Sequence, residues 1–203
     1  METKSIVIVI AVVLGILTLI PIAARLKRQG QEDASGQSQQ GGGQEAEGEI
    51  SGPLRYGDGW ADGKKSLGGS GEMIQFTLPA SKAKVAAIRI HGARYGTPAP
   101  PAENFQVSFL SGDMSRVVHQ EGAPYSLFDR GEGRWVEVRF RQPVEVPKTF
   151  WVVLDFKAGR TKGVYVSYDT STGGQHSRTG LPGQRGQPVS FGGDWMIEAI
   201  LSR

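Results

Sequence analysis

Cysteine is absent from the 203 residues, which excludes disulfides, thiol catalysis and cysteine-based zinc sites. Histidine is scarce. His91, His119 and His176 are the only three, with neither i, i+4 nor H-E-x-x-H spacing, so no metal is expected from them and no cofactor is implied. Surplus positive charge is small: the formal net charge is +3, and the surplus of +5 in residues 50–203 is too small and too dispersed for nucleic acid as a partner. After residue 28 no long segment repeats its apolar residues with a period of 3.6, which argues against a βαβ architecture.

What the chain does contain is one uncharged apolar run, Ile6 to Ala24, IVIVIAVVLGILTLIPIAA. Its length is close to the roughly 20 residues that cross a bilayer as a helix. In hydrocarbon only a helix satisfies every backbone hydrogen bond within one isolated segment, so the β-branched residues do not argue for a strand. Residues 1–28 are therefore expected to form a single-pass transmembrane anchor with its flanks. The competing reading is a cleaved signal peptide. Against it, the run exceeds the usual 7–15 apolar residues, and Arg25, Lys27 and Arg28 crowd the cut site at Ala24. By the positive-inside rule the same three charges, set against Lys4, put the C-terminal domain on the cytoplasmic side. The difference is one or two charges, and signal-anchor proteins with exported domains carry a similar flank.

Residues 29–49, QGQEDASGQSQQGGGQEAEGE, hold five carboxylates, no Lys or Arg, and no aromatic or large aliphatic side chain. Ordering them costs backbone entropy with no apolar burial in return, so a disordered spacer is expected. As a Gly-rich coil of about 20 residues it spans roughly 25 Å.

From residue 50 to 203 short apolar runs alternate with Gly, Pro, Asn and Asp, as expected for an all-β domain. The 29 Gly and 11 Pro of the chain suit such a turn-rich fold. Strands are expected at Met73 to Leu78, Val85 to His91, Phe105 to Leu110, Arg116 to Gln120, Arg134 to Phe140, Thr149 to Phe156, Gly163 to Tyr168 and Trp195 to Leu201. Alternation in RWVEVRF assigns Val136, Val138 and Phe140 to the core and Trp135, Glu137 and Arg139 to the other face. TFWVVLDF is apolar on both parities and reads as a central strand. Trp151 and Trp195 read as core, Trp60 as exposed. The architecture expected is a jelly-roll-like antiparallel β-sandwich behind the anchor and the spacer.

The segments DGWADGKKSLGGSGEMIQF, IRIHGARYGTPAPPAENFQV, GVYVSYDTSTGGQHSRTGLPG and GGDWMIEA resemble accessory β-sandwich domains found beside bacterial peptidases and other exported proteins, of galactose-binding-like jelly-roll plan. The resemblance spans Tyr56 to Ile200 and rests on turn and strand motifs, with no catalytic signature. It implies a binding or positioning module.

Two loops carry candidate ligand-binding residues. In YVSYDTSTGGQHSRTGLP, Tyr165 or Tyr168 offers a ring, Asp169 accepts hydroxyl protons, and His176 and Arg178 donate; equally, Asp169, Ser171 and Thr172 suit Asx and ST turns. In IRIHGARYGTPAPP, His91, Arg94 and Tyr95 form a cationic and aromatic rim, or serve the backbone and pack their stems locally. Trp60, between two D-G turns, is the exposed stacking candidate. Asp58 and Asp62 could hold calcium, although Lys64 and Lys65 sit beside them and D-G pairs are ordinary turn signals. A hydrolase would use Ser177 with His176 or His91 and Asp169, but no G-x-S-x-G elbow is present. The expectation is a membrane-anchored, non-catalytic module that binds a protein or glycan through loops at one end of the sandwich. A structural or assembly role through a sheet face is the alternative.

Overall fold

The computed structural model of the protein describes residues 52–202. The expected anchor, 1–28, and spacer, 29–49, lie outside the described residues. Among the described residues no helix is long and apolar enough to cross a membrane.

The described chain is an all-antiparallel β domain, consistent with a β-sandwich. Its strands are β1 (Gly63–Lys65), β2 (Glu72–Gly96), β3 (Asn104–Ser111), β4 (Val117–Pro124), β5 (Arg134–Asp155), β6 (Lys162–Asp169), β7 (Ser177–Thr179), β8 (Gln187–Pro188), β9 (Asp194–Trp195) and β10 (Ile197–Leu201). A single 3-10 turn, Tyr125–Leu127, follows β4. Neighbours run in the order β1-β6-β2-β5-β3-β4, with β7 and β10 also on β2.

Two long bent strands organise everything else. The first half of β2 pairs with the second half of β5, Met73 facing Val153, while its second half pairs with the first half of β5, Ile90 facing Val136. The sequence suggests four strands here, with Pro143 and Pro147 as breaks and no strand expected between Leu78 and Val85. Instead the chain stays extended through them. The register shifts between Thr77 and Lys82 and again between Val85 and Ala87, so the lost ladder bonds fall at irregularities where proline is tolerated.

Both strands contribute along their length to the main core. Val136, Val138 and Phe140 point into it, as their alternation predicts, with Ile88, Ile90, Phe105, Phe109 and Trp195. In the second half of β5 both parities are buried. Phe150, Val152 and Leu154 face the main core, and Trp151 and Val153 join Met73 and Leu110 in a second, smaller cluster on the opposite face. Lying between β2 and β3, this is the central strand that TFWVVLDF implies.

Candidate functional site

The eight candidate residues do not converge on one place. Asp169 and His176 belong to a clasp, Arg94, Tyr95 and Tyr165 to a cleft, and the remaining three to neither.

The clasp fastens the segment before β1 to the loop after β6. Asp169, at the end of β6, is buried. Its Oδ2 accepts the Gly59 N–H at 3.0 Å, and its Oδ1 accepts the Ser171 N–H at 2.9 Å and the Ser171 hydroxyl at 2.5 Å. Burial opposes ionisation of this carboxyl, but the bonds from Ser171 and Gly59 outweigh it and hold its pKa below the usual value. Ser171 in turn accepts the Asp58 N–H. Asp62 Oδ2 accepts the Thr170 N–H at 2.7 Å and hydroxyl at 2.6 Å, which lowers its pKa. Asp58 Oδ1 accepts the Trp60 N–H, so the two carboxylates weighed for calcium serve a turn and the clasp. Tyr56 lies between the rings of Phe76 and His176. Burial, with the Asp194 charge nearby, raises the Tyr56 phenol pKa. Only glycine fits at position 57: φ is +86°, and a Cβ there would stand 2.1 Å from Asp169 Oδ2.

The cleft lies where β2, β6 and β1 meet. Ala93 faces Tyr165, Arg94 faces Val164 and Tyr95 faces Gly163 across the β2–β6 ladder. Lys64, Arg94, Tyr95, Arg130, Gly131 and Tyr165 line a shallow depression of about 360 Å³. The two tyrosine rings are 4.6 Å apart and tilted by 36°, and Tyr165 is 37% exposed. The Lys64 ammonium stands 5.5 Å from its ring centre. Tyr95 is fixed, because its hydroxyl donates to the Gly159 carbonyl and bonds the Ser66 hydroxyl. Arg94 donates from Nε to the Phe128 carbonyl, and from its two terminal nitrogens to the Thr97 and Pro98 carbonyls. Three of its five N–H groups are used, and among the described residues no carboxylate pairs with its charge beside the depression. The sequence alone does not mark Lys64 and Arg130 as binding residues: Lys64 reads there as a neighbour that disfavours calcium, and Arg130 carries no motif.

The other candidates have separate surroundings. His91 Nδ1 is 2.9 Å from the Ser167 hydroxyl, and its ring meets Trp135 edge-on; burial lowers its pKa. Arg178 covers Trp151 on the outer face. Trp60 is 77% exposed, beside the clasp. Ser177 is buried, and its hydroxyl accepts the Trp195 N–H at 2.8 Å.

No protein-family model matches the chain, and no curated protein matches its sequence significantly.

Proposed function

We propose that the protein is a membrane-anchored, non-catalytic binding module whose β domain, of galactose-binding-like jelly-roll plan, recognises a glycan or protein segment presenting an anionic group. The single observation that carries the reading is the cleft: three cations, Lys64, Arg94 and Arg130, and two tyrosines line it, with no carboxylate among them. A ring partly open to solvent offers a flat face for a sugar or an apolar side chain, and the surrounding cations attract a carboxylate or phosphate. Arg94 is held by backbone carbonyls, which fixes its charge before any ligand arrives and reduces the ordering cost of binding.

A hydrolytic reading has less support. Ser177 is buried in a bond to Trp195, and the half-buried His176 stacks on Tyr56 rather than bonding the Ser177 hydroxyl. The anchor over residues 6–24 rests on hydropathy and length.

The test is a binding titration of the full chain with an oligomer of uronic acid, with its neutral counterpart of equal length, and with an aspartate-rich peptide. The reading predicts that at least one acidic probe binds, the neutral oligomer does not, and Tyr165→Ala with Lys64→Gln removes the binding without changing the melting temperature.

A further inference from the structure

The sandwich is open along one side. Among the described residues β4 pairs only with β3, and the Arg134–Phe140 part of β5 pairs only with β2, so two strand edges run unpartnered. Between them lies a groove of about 620 Å³, floored by Ala123, Leu127, Val138 and Phe140. The core residues along this side, Val136, Val138 and Phe140, keep 5–8% exposure, whereas Ile88 and Ile90 opposite them on β2 have none.

Free edges are normally blunted by charge, proline or bulges. From Arg134 to Arg141 there is no Pro or Gly, and the strand is regular through Arg139. The charges are present, but they alternate: on the outer face Trp135, Glu137, Arg139 and Arg141 follow one another, while Val136, Val138 and Phe140 face inward.

We propose that this edge pairs antiparallel with the same edge of a second copy of the chain, about a two-fold axis at Val138. A symmetric antiparallel pair keeps inner side chains against inner ones only if the axis passes through a residue, so few registers exist. An axis at Glu137 sets that carboxylate against its own copy. At Arg139 the two guanidiniums oppose, and at Phe140 Arg139 meets Arg141. At Val136 Glu137 meets Trp135 and Arg139 meets Gly133, with no opposite-charge contact. An axis at Val138 brings each Glu137 opposite the other copy's Arg139, and each Trp135 opposite the other copy's Arg141. Both pairings recur twice by symmetry, and cross-strand pairs of opposite charge or of cation and ring are favourable. Trp135 is already oriented by Arg89 over its ring and by the edge of His91. In the single chain Arg139 turns back to Glu137 at 2.7 Å, an exposed contact of little worth, which an intermolecular pair can replace.

The edge pairing is independent of ligand binding at the cleft. Its test is sedimentation equilibrium of the full chain in mild detergent, with charge reversals at exposed positions that leave the core intact. The pairing predicts a dimer, a dissociation constant raised about tenfold or more by Glu137→Arg or by Arg139→Glu, and recovery in the double variant. Because the chain has no cysteine, Val138→Cys supplies its only thiol. Mild oxidation should link two copies of that variant, whereas Glu137→Cys and Arg139→Cys, each out of line with its own copy, should not link. A wild-type chain that is monomeric at every concentration overturns the proposal and leaves the edge to a different partner. A dimer indifferent to the reversals, or a double variant as weak as the singles, overturns it equally.

Discussion

His176 lies flat on Tyr56, their ring centres 3.6 Å apart and their planes 3° from parallel. The contact joins the start of the domain to the loop after β6, and the other side of Tyr56 rests on Phe76 in the core. The chain therefore enters the domain through a segment fixed at several points: Leu54 bridged to Ala199, Tyr56 between rings, Gly59 on Asp169 and Asp62 on Thr170. If residues 6–24 anchor the chain in a membrane, this clasp sets where the tether leaves the domain.

Removing the clasp's buried carboxylate tests that role. Asp169→Ala takes the acceptor from the Gly59 and Ser171 groups and should cost about 1–3 kcal/mol of stability, read by chemical denaturation. Trypsin should also cut after Arg55 sooner in the variant. Gly57→Ala should weaken the same clasp through the clash with Asp169.

Acid should loosen the clasp as well. Asp62 and Asp169 both have folded pKa values below their ordinary ones. A depressed folded pKa gives stability that is present above the unfolded value, near 4, and lost as pH falls through the folded one. Protection of the Gly59 and Thr170 amides from hydrogen exchange should therefore decline below about pH 4, and the decline at Gly59 should vanish in Asp169→Asn.

Glu72 works in the opposite direction. It is buried, and among the described residues no donor is well aligned with either carboxyl oxygen. Burial pushes its pKa well above the usual value, with the backbone amides of Glu72 and Leu67 offsetting this only in part. A raised folded pKa favours folding below the unfolded value, and that advantage is lost as pH rises through the folded one. Glu72→Gln should raise the melting temperature at pH 8 more than at pH 5. The gain at the higher pH reflects the work of ionising a carboxyl whose burial disfavours its charge.

Ser177 distinguishes a structural hydroxyl from a nucleophile. Ser177→Ala leaves the buried Trp195 N–H without its acceptor and should destabilise the domain by about 1–3 kcal/mol. Any esterase or peptidase turnover found in a preparation of the protein should survive the substitution.

The β class and the inward faces of the strands were legible because burial on one face writes itself as alternation, as in Val136, Val138 and Phe140. The length of β2 and β5 was not legible: Pro143 and Pro147 signal breaks, and only tertiary pairing beside register shifts keeps the chain extended through them. At the site, Arg94, Tyr95 and Tyr165 could be named because they stand beside turn-rich segments. Their meeting with Lys64 and Arg130 depends on β1 and β6 pairing over about a hundred residues of separation, Lys64 facing Ser167, and no local pattern encodes that contact. Asp169 illustrates the reverse difficulty, since an Asx turn and a ligand acceptor call for the same residue in the same loop.

Capture of an anionic ligand by the cleft around Tyr165 can be read by calorimetric titration of the full chain with acidic and neutral oligomers of equal length. Heat is expected from an acidic oligomer alone, lost in Tyr165→Ala with Lys64→Gln and retained in Lys148→Gln, a charge change outside the cleft. No heat from any acidic probe, equal binding of the neutral oligomer, or binding indifferent to the cleft substitutions would contradict it.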